Sequence, residues 1–224
     1  MSEITTAEIC SRFRGMYVPA VSDAMYELGM PEPVLPSALR PLFPERSFVG
    51  IAFTVEGAEI VPPVSWDEGT ERIASYLEVF EKLTPDSVMV SKNTGDLVGH
   101  FGELTGNSAM KHGCVGVVLE GNVRDTAGLR DIGLQVFYRD VNPRSGMGRW
   151  EMVAYQQPVT IGDVTVRPGD LVIADFDGVL IVPSADILAV LERAEEIVAI
   201  EHDVRNDMRL GLGPLEGLAK HGHI

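Results

Sequence analysis

The sequence predicts an α/β fold with a parallel centre, antiparallel hairpins and a long C-terminal helix. Strand-like and helical patterns alternate between residues 88 and 138, as they do in chains that build parallel sheets. Turn signals then separate short apolar runs between residues 158 and 183, which is typical of antiparallel hairpins. Apolar residues at helical spacing follow Ser184. Because no linker or repeat interrupts the 224 residues, we expect one domain over 1–224.

The N-terminal part, residues 5–29, is expected to contain two short helices. Thr5 opens a capping box, and Ser22 can cap a second helix that Gly29 ends. Five prolines follow within residues 31–45, so this stretch is predicted to be an ordered but irregular connection.

The predicted core spans residues 48–183. Its first segment is rich in β-branched and aromatic residues, which suits one or two strands, and a helix with regular apolar spacing follows. The alternating region then supplies three strands and two helices. In chain order, these elements are a strand region at 48–61, a helix at 67–82, strands at 88–91, 115–119 and 134–138, and helices at 102–113 and 126–133.

The last third of the chain has antiparallel character. Residues 158–166 form a hairpin pattern that turns at Gly162, and two apolar runs flank the tight turn Asp175–Gly178. Ser184 is predicted to cap a helix that spans 184–208. We expect an irregular tail after it, including His221 and His223.

Composition excludes several classes of protein. The net charge is −15, from 33 acidic and 18 basic residues, which argues against binding to nucleic-acid phosphates. No run of about eighteen apolar residues predicts a membrane span, and the start lacks the pattern of a signal peptide. Cys10 and Cys114 form no disulfide or metal motif. We therefore expect a cytoplasmic protein.

Familiar catalytic motifs are missing as well. The sequence has no phosphate-binding GxxxxGK[ST] loop, no GxGxxG fingerprint, no GxSxG elbow and no HExxH helix. Its five histidines are scattered, which argues against a histidine-rich zinc site. The DFDG stretch at 175–178 lacks the remainder of a calcium-binding loop and is better interpreted as a hairpin turn.

Two loops remain as candidates for a site. The first, Gly102-Glu-Leu-Thr105, begins a helix whose free N–H groups suit a carboxylate or phosphate, although an ordinary helix start has the same pattern. The second, ending in Arg124-Asp125, directly follows an apolar strand, and ligands gather at that end of parallel strands. Arginine suits a carboxylate or keto oxygen, and aspartate suits Mg²⁺. Spacing alone favours Asp125 as a helix N-cap instead.

The order of four segments resembles the RraA-like family. These segments are SDAM, GELTG, GVVLEGNVRD and VTVRPGDLVIADFDGVLIVP. The family includes 4-hydroxy-4-methyl-2-oxoglutarate / 4-carboxy-4-hydroxy-2-oxoadipate aldolases as well as regulators of ribonuclease activity. The resemblance covers roughly residues 15 to 210 and implies a layered α/β/β (swivelling-type) sandwich.

The resemblance also implies a site and a reaction. The implied substrate-binding residues are Gly102, Glu103, Leu104, Thr105 and Arg124. Asp125 would hold a divalent metal, Mg²⁺ or Mn²⁺, partly through water, with Glu103 close to the metal's waters. The implied reaction is class II aldol cleavage of a 4-hydroxy-2-oxo dicarboxylic or tricarboxylic acid to release pyruvate, with oxaloacetate decarboxylation as a side activity. Glu103 and Arg124 are the expected catalytic residues.

The implied assembly is a trimer or hexamer with sites at subunit interfaces, where Glu201 of a neighbouring subunit would complete the metal site. The chain departs from the family pattern at Glu120 and Glu103, where aspartate is common, and each change lengthens the acid by one methylene. Regulator-type members tend to lose the acid after the arginine. Since Asp125 is present, we expect an enzyme, with a non-catalytic regulator that binds a ribonuclease as the alternative.

Overall fold

A mixed β-sheet forms the centre of the computed structural model, which describes residues 4–222. The strands are β1 Arg40–Pro41, β2 Phe48–Glu59, β3 Ser87–Asn93, β4 Gly99–Phe101, β5 Cys114–Val123, β6 Val136–Val141, β7 Trp150–Tyr155, β8 Val159–Ile161, β9 Val164–Val166, β10 Leu171–Asp175 and β11 Gly178–Val182. The helices are α1 Thr6–Phe13, α2 Val18–Glu27, α3 Trp66–Phe80, α4 Glu103–Lys111, α5 Thr126–Ile132, α6 Ile187–Arg209 and α7 Pro214–His221.

The sheet confirms the predicted parallel centre. Its main path is β1-β6-β5-β3-β2-β10-β11, in which β2, β3, β5 and β6 are parallel neighbours. The hairpin β10–β11 extends this centre in antiparallel fashion, and β7 pairs antiparallel with β2. Because β4 also runs parallel to β5, the ends of β4 and β5 lie side by side, and the two candidate loops leave the same edge of the sheet.

The two faces of the sheet are covered by different layers. The side chains of β5 point alternately to the two faces. Val117 and Leu119 lie in the core beneath α3, α4 and α5. Val118 lies on the other face, in a core formed with the separate hairpin β8–β9. Helices α1, α2 and α6 pack against one face of β10 and β11, where their apolar side chains form a second core. The arrangement of helices, sheet and hairpin is the expected α/β/β fold.

The predicted start of the second helix is wrong, whereas the predicted cap of the first is confirmed. Helix α2 begins at Val18, four residues before Ser22, because Pro19 is tolerated in a first turn where its missing N–H is not needed. Ser22 lies inside the helix and its hydroxyl bonds to Glu32 Oε2 at 2.5 Å. Thr5 does cap α1, accepting from the Glu8 N–H at 3.2 Å.

The C-terminal region also differs from the prediction. Helix α6 begins at Ile187, because residues 183–186 form a turn that the Asp186 N–H closes on Pro183 O at 2.9 Å, and Asp186 takes the N-cap position. The expected irregular tail contains α7, whose His221 Nε2 lies 2.7 Å from Asp207 Oδ2 on α6. His223 lies outside the described residues. Within the described part of the chain, no helix is both long and apolar enough to cross a membrane.

Candidate functional site

The two candidate loops border one cavity of about 280 Å³. From the predicted set, Gly102, Leu104, Thr105, Arg124 and Asp125 line it. The remaining lining residues come from α3, β4 and the loop before β7, and they are Ile73, Tyr76, Leu77, Gly99, His100, Ser145, Gly146 and Met147. The position of the cavity beside the ends of β4 and β5 is where ligands bind in open α/β sheets.

The first loop leaves three amide groups free. Gly102 is the N-cap of α4, and its own N–H bonds to Thr105 Oγ1 at 3.0 Å, while the Thr105 hydroxyl donates to Gly102 O at 2.9 Å. The Gly106 N–H then closes the first turn on Gly102 O. The N–H groups of residues 103–105 have no protein partner among the described residues. Such a helix start can bind an anionic group.

A backbone hydrogen bond connects the second loop to the strand that leads into the first. The Arg124 N–H donates to Phe101 O at 2.9 Å, which places the arginine beside the N-cap of α4. The Arg124 guanidinium in turn donates through Nε to Asp125 Oδ1 at 3.2 Å. Both side chains are partly exposed, at 35% and 41%, so they are accessible to a small ligand from the cavity mouth.

Asp125 stands at the N-cap position of α5, as spacing predicted, but its side chain does not cap the helix. Its backbone is left-handed, with φ 52° and ψ 40°, a conformation that aspartate and asparagine tolerate better than most residues. The carboxylate instead lies against Gly102, where a β-carbon would overlap Asp125 Oδ2. Since Gly102 has an extended backbone, with φ −152°, it is space and not conformation that requires glycine here.

Two of the predicted site residues do not line the cavity. Glu103 directs its carboxylate towards α5, so that a β-carbon on Gly128 would lie 2.5 Å from Glu103 Oε2. Glu201 lies on α6, which packs on α1, α2 and α7, and it accepts a hydrogen bond from Arg205 at 2.9 Å. Its contribution from a neighbouring subunit stays a prediction.

Glu120, where the chain leaves the family pattern, faces a different cavity. That cavity of about 200 Å³ lies against the β8–β9 hairpin and is bordered by Ile161, Leu39 and Arg139. Burial raises the pKa of Glu120, an effect that a backbone hydrogen bond and Arg139 partly offset. The substitution therefore changes the environment beneath the hairpin and leaves the lining of the candidate site unaltered.

The acidic, histidine and cysteine side chains of the described residues fit a magnesium site with few protein ligands better than a zinc site with four. Among the described residues, no group of three or more His, Cys, Asp or Glu side chains is placed to hold a metal. The described residues therefore do not form a closed zinc-type cage by themselves. Asp125 is the carboxylate that lines the cavity, and Mg²⁺ is commonly held by one or two carboxylates together with waters and a substrate. The residues fit this second mode.

Sequence reasoning missed two buried residues of the cavity wall, Tyr76 and His100. Both rings contact Trp150, with centroids 4.8 Å away, Tyr76 edge-on and His100 stacked. Burial raises the pKa of the Tyr76 phenol and lowers the pKa of His100 to about 3. Tyr76 follows the apolar spacing of α3 and was indistinguishable from an ordinary core residue. His100 lies on β4, a strand too short to predict.

Comparison with known sequences identifies related proteins. A family model described as RraA-like, Aldolase/RraA, matches residues 18–181. Over 161 residues the chain is 32% identical to a protein of Deinococcus radiodurans provisionally named 4-hydroxy-4-methyl-2-oxoglutarate aldolase, covering 72% of this chain and 91% of that protein. A protein of Halalkalibacterium halodurans with the same provisional name is 27% identical, with coverages of 84% and 83%. Protein DlpA of Legionella pneumophila is 27% identical over 85% of this chain, which spans 30% of DlpA's length.

Solved structures show the same fold. A protein of Pseudomonas syringae pv. tomato superposes with a TM-score of 0.82 at 25% identity, covering 98% of this chain and 96% of that one. Streptomyces coelicolor RraAS2, an unusual member of the RNase ES inhibitor RraA family, superposes with a TM-score of 0.74 over 95% of this chain and 100% of its own. Because RraAS2 is 22% identical to this chain, its similarity shows the fold alone.

Proposed function

The chain belongs to the RraA-like family, and from that premise we propose that it is a divalent-metal-dependent aldolase that cleaves a 4-hydroxy-2-oxo acid and releases pyruvate. The provisional names of two relatives point to substrates of the 4-hydroxy-4-methyl-2-oxoglutarate type, and 4-carboxy-4-hydroxy-2-oxoadipate is the related tricarboxylic candidate. The proposal depends mainly on one observation. An anion-binding helix start, an arginine and an aspartate border the same cavity.

Each of these groups matches one part of the substrate. The free amides of residues 103–105 suit the carboxylate of the pyruvyl half, because a helix N-terminus attracts anions. Arg124 suits the 2-oxo oxygen, on which negative charge develops during cleavage. Asp125 would hold Mg²⁺ or Mn²⁺, whose chemical contribution is to stabilise that developing charge.

Cleavage requires a base, and it leaves the electron pair on the pyruvyl half. The C4 hydroxyl loses its proton to a water that an acid of a neighbouring subunit, such as Glu201, would orient; Glu103 could do so only if its carboxylate turned from α5 towards the cavity. The C3–C4 bond then breaks, C4 becomes a carbonyl, and the bonding electrons form the enolate of pyruvate. Protonation at C3 gives pyruvate. Arg124 donates hydrogen bonds where the enolate oxygen forms, so it stabilises the transition state more than the substrate.

The same arrangement supports decarboxylation of oxaloacetate, in which loss of CO₂ leaves the same pyruvate enolate. A Schiff-base route lacks support, since none of the described residues that line the cavity is a lysine. Oxaloacetate is therefore a convenient first substrate for the site.

Exposed apolar side chains at the cavity rim support a homo-oligomer. Leu104 is 82% exposed and Leu77 is 51% exposed, although both border the cavity. Large apolar side chains next to a binding site often mark a surface that a partner covers. A trimer or hexamer would bring another subunit to this rim, as the Glu201 proposal requires. The state can be measured by light scattering coupled to size-exclusion chromatography.

The alternative is a non-catalytic regulator that binds a ribonuclease. The net charge of −15, which suits a basic partner, favours it. The discriminating experiment is pyruvate release from oxaloacetate and from 4-hydroxy-4-methyl-2-oxoglutarate, with Mg²⁺ or with excess EDTA. An aldolase releases pyruvate only with the metal. A regulator adds nothing, under either condition, to the pyruvate formed in a protein-free control, which is needed because oxaloacetate also loses CO₂ in free solution and does so faster with Mg²⁺.

A further inference from the structure

The polar groups of the candidate cavity gather around one residue, Gly102. A β-carbon there would lie 2.4 Å from Asp125 Oδ2 and 3.0 Å from Arg124 Cγ. The free amides of residues 103–105 begin at the same place, in the first turn of α4. The groups that suit the metal and the pyruvyl half are therefore concentrated where α4 and α5 begin.

An apolar surface borders the same cavity from other elements. Ile73 and Leu77 come from α3, and Met147 comes from the loop before β7. Ile73 and Leu77 are four residues apart, so they lie one turn apart on the same face of the helix. We call these three residues the apolar side of the cavity.

The loop that carries Met147 packs closely on α3. Thr70 Oγ1 on that helix donates to Met147 Sδ at 3.7 Å, so the thioether lies against the helix that carries Ile73 and Leu77. A β-carbon on Gly69 would lie 2.2 Å from the Gly148 nitrogen, which shows how near the two backbones are. The apolar side is therefore one continuous surface.

The two candidate substrates differ in the group that this surface would contact. Both carry a hydroxyl and a carboxylate on C4, and the third substituent is methyl in 4-hydroxy-4-methyl-2-oxoglutarate but carboxymethyl in 4-carboxy-4-hydroxy-2-oxoadipate. The shared carboxylate can point to the open mouth of the cavity in either substrate. The third substituent is then left to face the apolar side.

The charges around the cavity favour the methyl group in that position. Of the described residues that border the cavity, Arg124 is the one with a permanent positive charge, and the proposed function assigns it to the 2-oxo oxygen. A carboxymethyl group against the apolar side would lose water and gain no counter-charge, which is costly. A methyl group there gains free energy from leaving water.

We propose that Ile73, Leu77 and Met147 determine which C4 substituent is accepted, so that the protein cleaves 4-hydroxy-4-methyl-2-oxoglutarate in preference to 4-carboxy-4-hydroxy-2-oxoadipate. This inference rests on the proposed aldolase function. It narrows the substrate class to 4-hydroxy-2-oxo acids whose third C4 substituent is a hydrocarbon group. The three side chains transfer no proton, and the bonds that break and form are those already described.

The first measurement compares the two substrates with the wild-type protein and Mg²⁺. Loss of each substrate is followed by NMR, because pyruvate is a product of both. An apolar pocket discriminates between small groups by about tenfold or more, so we expect kcat/KM to be at least about tenfold higher for the methyl substrate. Equal values for the two substrates would overturn the proposal.

The second measurement adds a counter-charge to the apolar side. Leu77 is 51% exposed and arginine favours helices, so Leu77→Arg should fold. We expect the preference for the methyl substrate to fall by about tenfold or more, because the guanidinium would pair with the carboxymethyl group. Met147→Arg brings the charge from the loop and should shift the preference in the same direction.

Leu188→Arg is the matched control, since Leu188 lies on α6 and is 48% exposed. It should keep the wild-type preference. Thermal unfolding and light scattering check that all three variants keep the fold and assembly of the wild type. A preference that stays unchanged in both Leu77→Arg and Met147→Arg would overturn the proposal, because the discrimination would then arise elsewhere.

A third measurement separates this inference from the proposed function. Exchange of the methyl protons of pyruvate for deuterium requires the enolate but no C4 substituent, so it should stay within about twofold of wild type in every variant. If the wild type catalyses exchange and cleavage without a preference, the aldolase stands and the selection by the apolar side fails. If it catalyses neither, the proposed function fails and the inference fails with it.

Discussion

The carboxylate of Asp125 occupies the space that a side chain at residue 102 would need. A β-carbon there would overlap Asp125 Oδ2 and approach Arg124 Cγ to 3.0 Å. The N-cap of α4 and the residue that precedes α5 are therefore fitted to each other, and the cavity depends on both. This relation makes Gly102 a sensitive test of the site.

Gly102→Ala should displace the Asp125 carboxylate while leaving the fold intact, since the backbone at residue 102 is extended and tolerates alanine. A displacement of about 1 Å at a reacting group costs roughly a hundredfold in rate, so we expect kcat/KM for oxaloacetate decarboxylation to fall by about that factor. Gly15→Ala is the control, because a β-carbon there meets only Arg12 O at 3.8 Å. Equal activity of the two variants would contradict the role of this contact.

Asp125→Asn should lower turnover at least about a hundredfold, by analogy with the loss of one charge-stabilising group. Asparagine also tolerates the left-handed backbone, so the variant changes the charge and keeps the geometry. Turnover of oxaloacetate with added Mg²⁺ measures the effect, and Asp163→Asn in the β8–β9 turn serves as the control. Near-normal turnover in Asp125→Asn, or in the wild type with excess EDTA, would exclude the metal mechanism.

Thr105→Val should weaken the start of α4. The Thr105 hydroxyl accepts from the Gly102 N–H and donates to Gly102 O, and valine does neither. We expect the free energy of unfolding to fall by about 1 kcal/mol and KM to rise, because the free amides lose their fixed direction. Denaturant unfolding and steady-state kinetics test this. Thr105→Ser keeps the hydroxyl and should restore both quantities; a serine variant as impaired as valine would show that the methyl group matters instead.

His100 should make the protein less stable as the pH falls. Burial lowers its pKa from 6.5 to about 3, so between these pH values the unfolded chain binds a proton that the folded chain does not. The free energy of unfolding therefore decreases on acidification through this window, with a contribution of at most about 1.4 kcal/mol per pH unit. His100→Phe should reduce the slope, as measured by denaturant unfolding at a series of pH values. His202→Gln, at an exposed position on α6, should retain the wild-type slope, and identical slopes in all three proteins would refute the prediction.

The sequence predicted the parallel centre because its strands and helices alternate with strong local signals. Helix boundaries were predictable where a cap was unambiguous, as at Thr5. They were wrong where a turn precedes the helix, as at Ser184, which lies in the turn of residues 183–186 and not at the N-cap of α6. Strand β7 was not predicted, because its burial depends on pairing with β2, which lies about a hundred residues earlier in the chain.

The candidate site was predictable only in part, and for a similar reason. Gly102, Arg124 and Asp125 lie in short motifs at the ends of elements, where the chain order itself implies proximity. Tyr76 and His100 carry no such signal, since a tyrosine on an apolar helix face resembles any core residue. Their common wall exists because α3 and β4 both pack around Trp150, which no local pattern reveals.

The left-handed backbone of Asp125 has an evolutionary consequence. Few amino acids accept this conformation, and among those that do, asparagine and glycine are each reached from an aspartate codon by a single nucleotide change. Either replacement would remove the carboxylate and preserve the turn between β5 and α5. A lineage with this fold can therefore lose its chemistry in one mutational step while its surface remains intact for other uses.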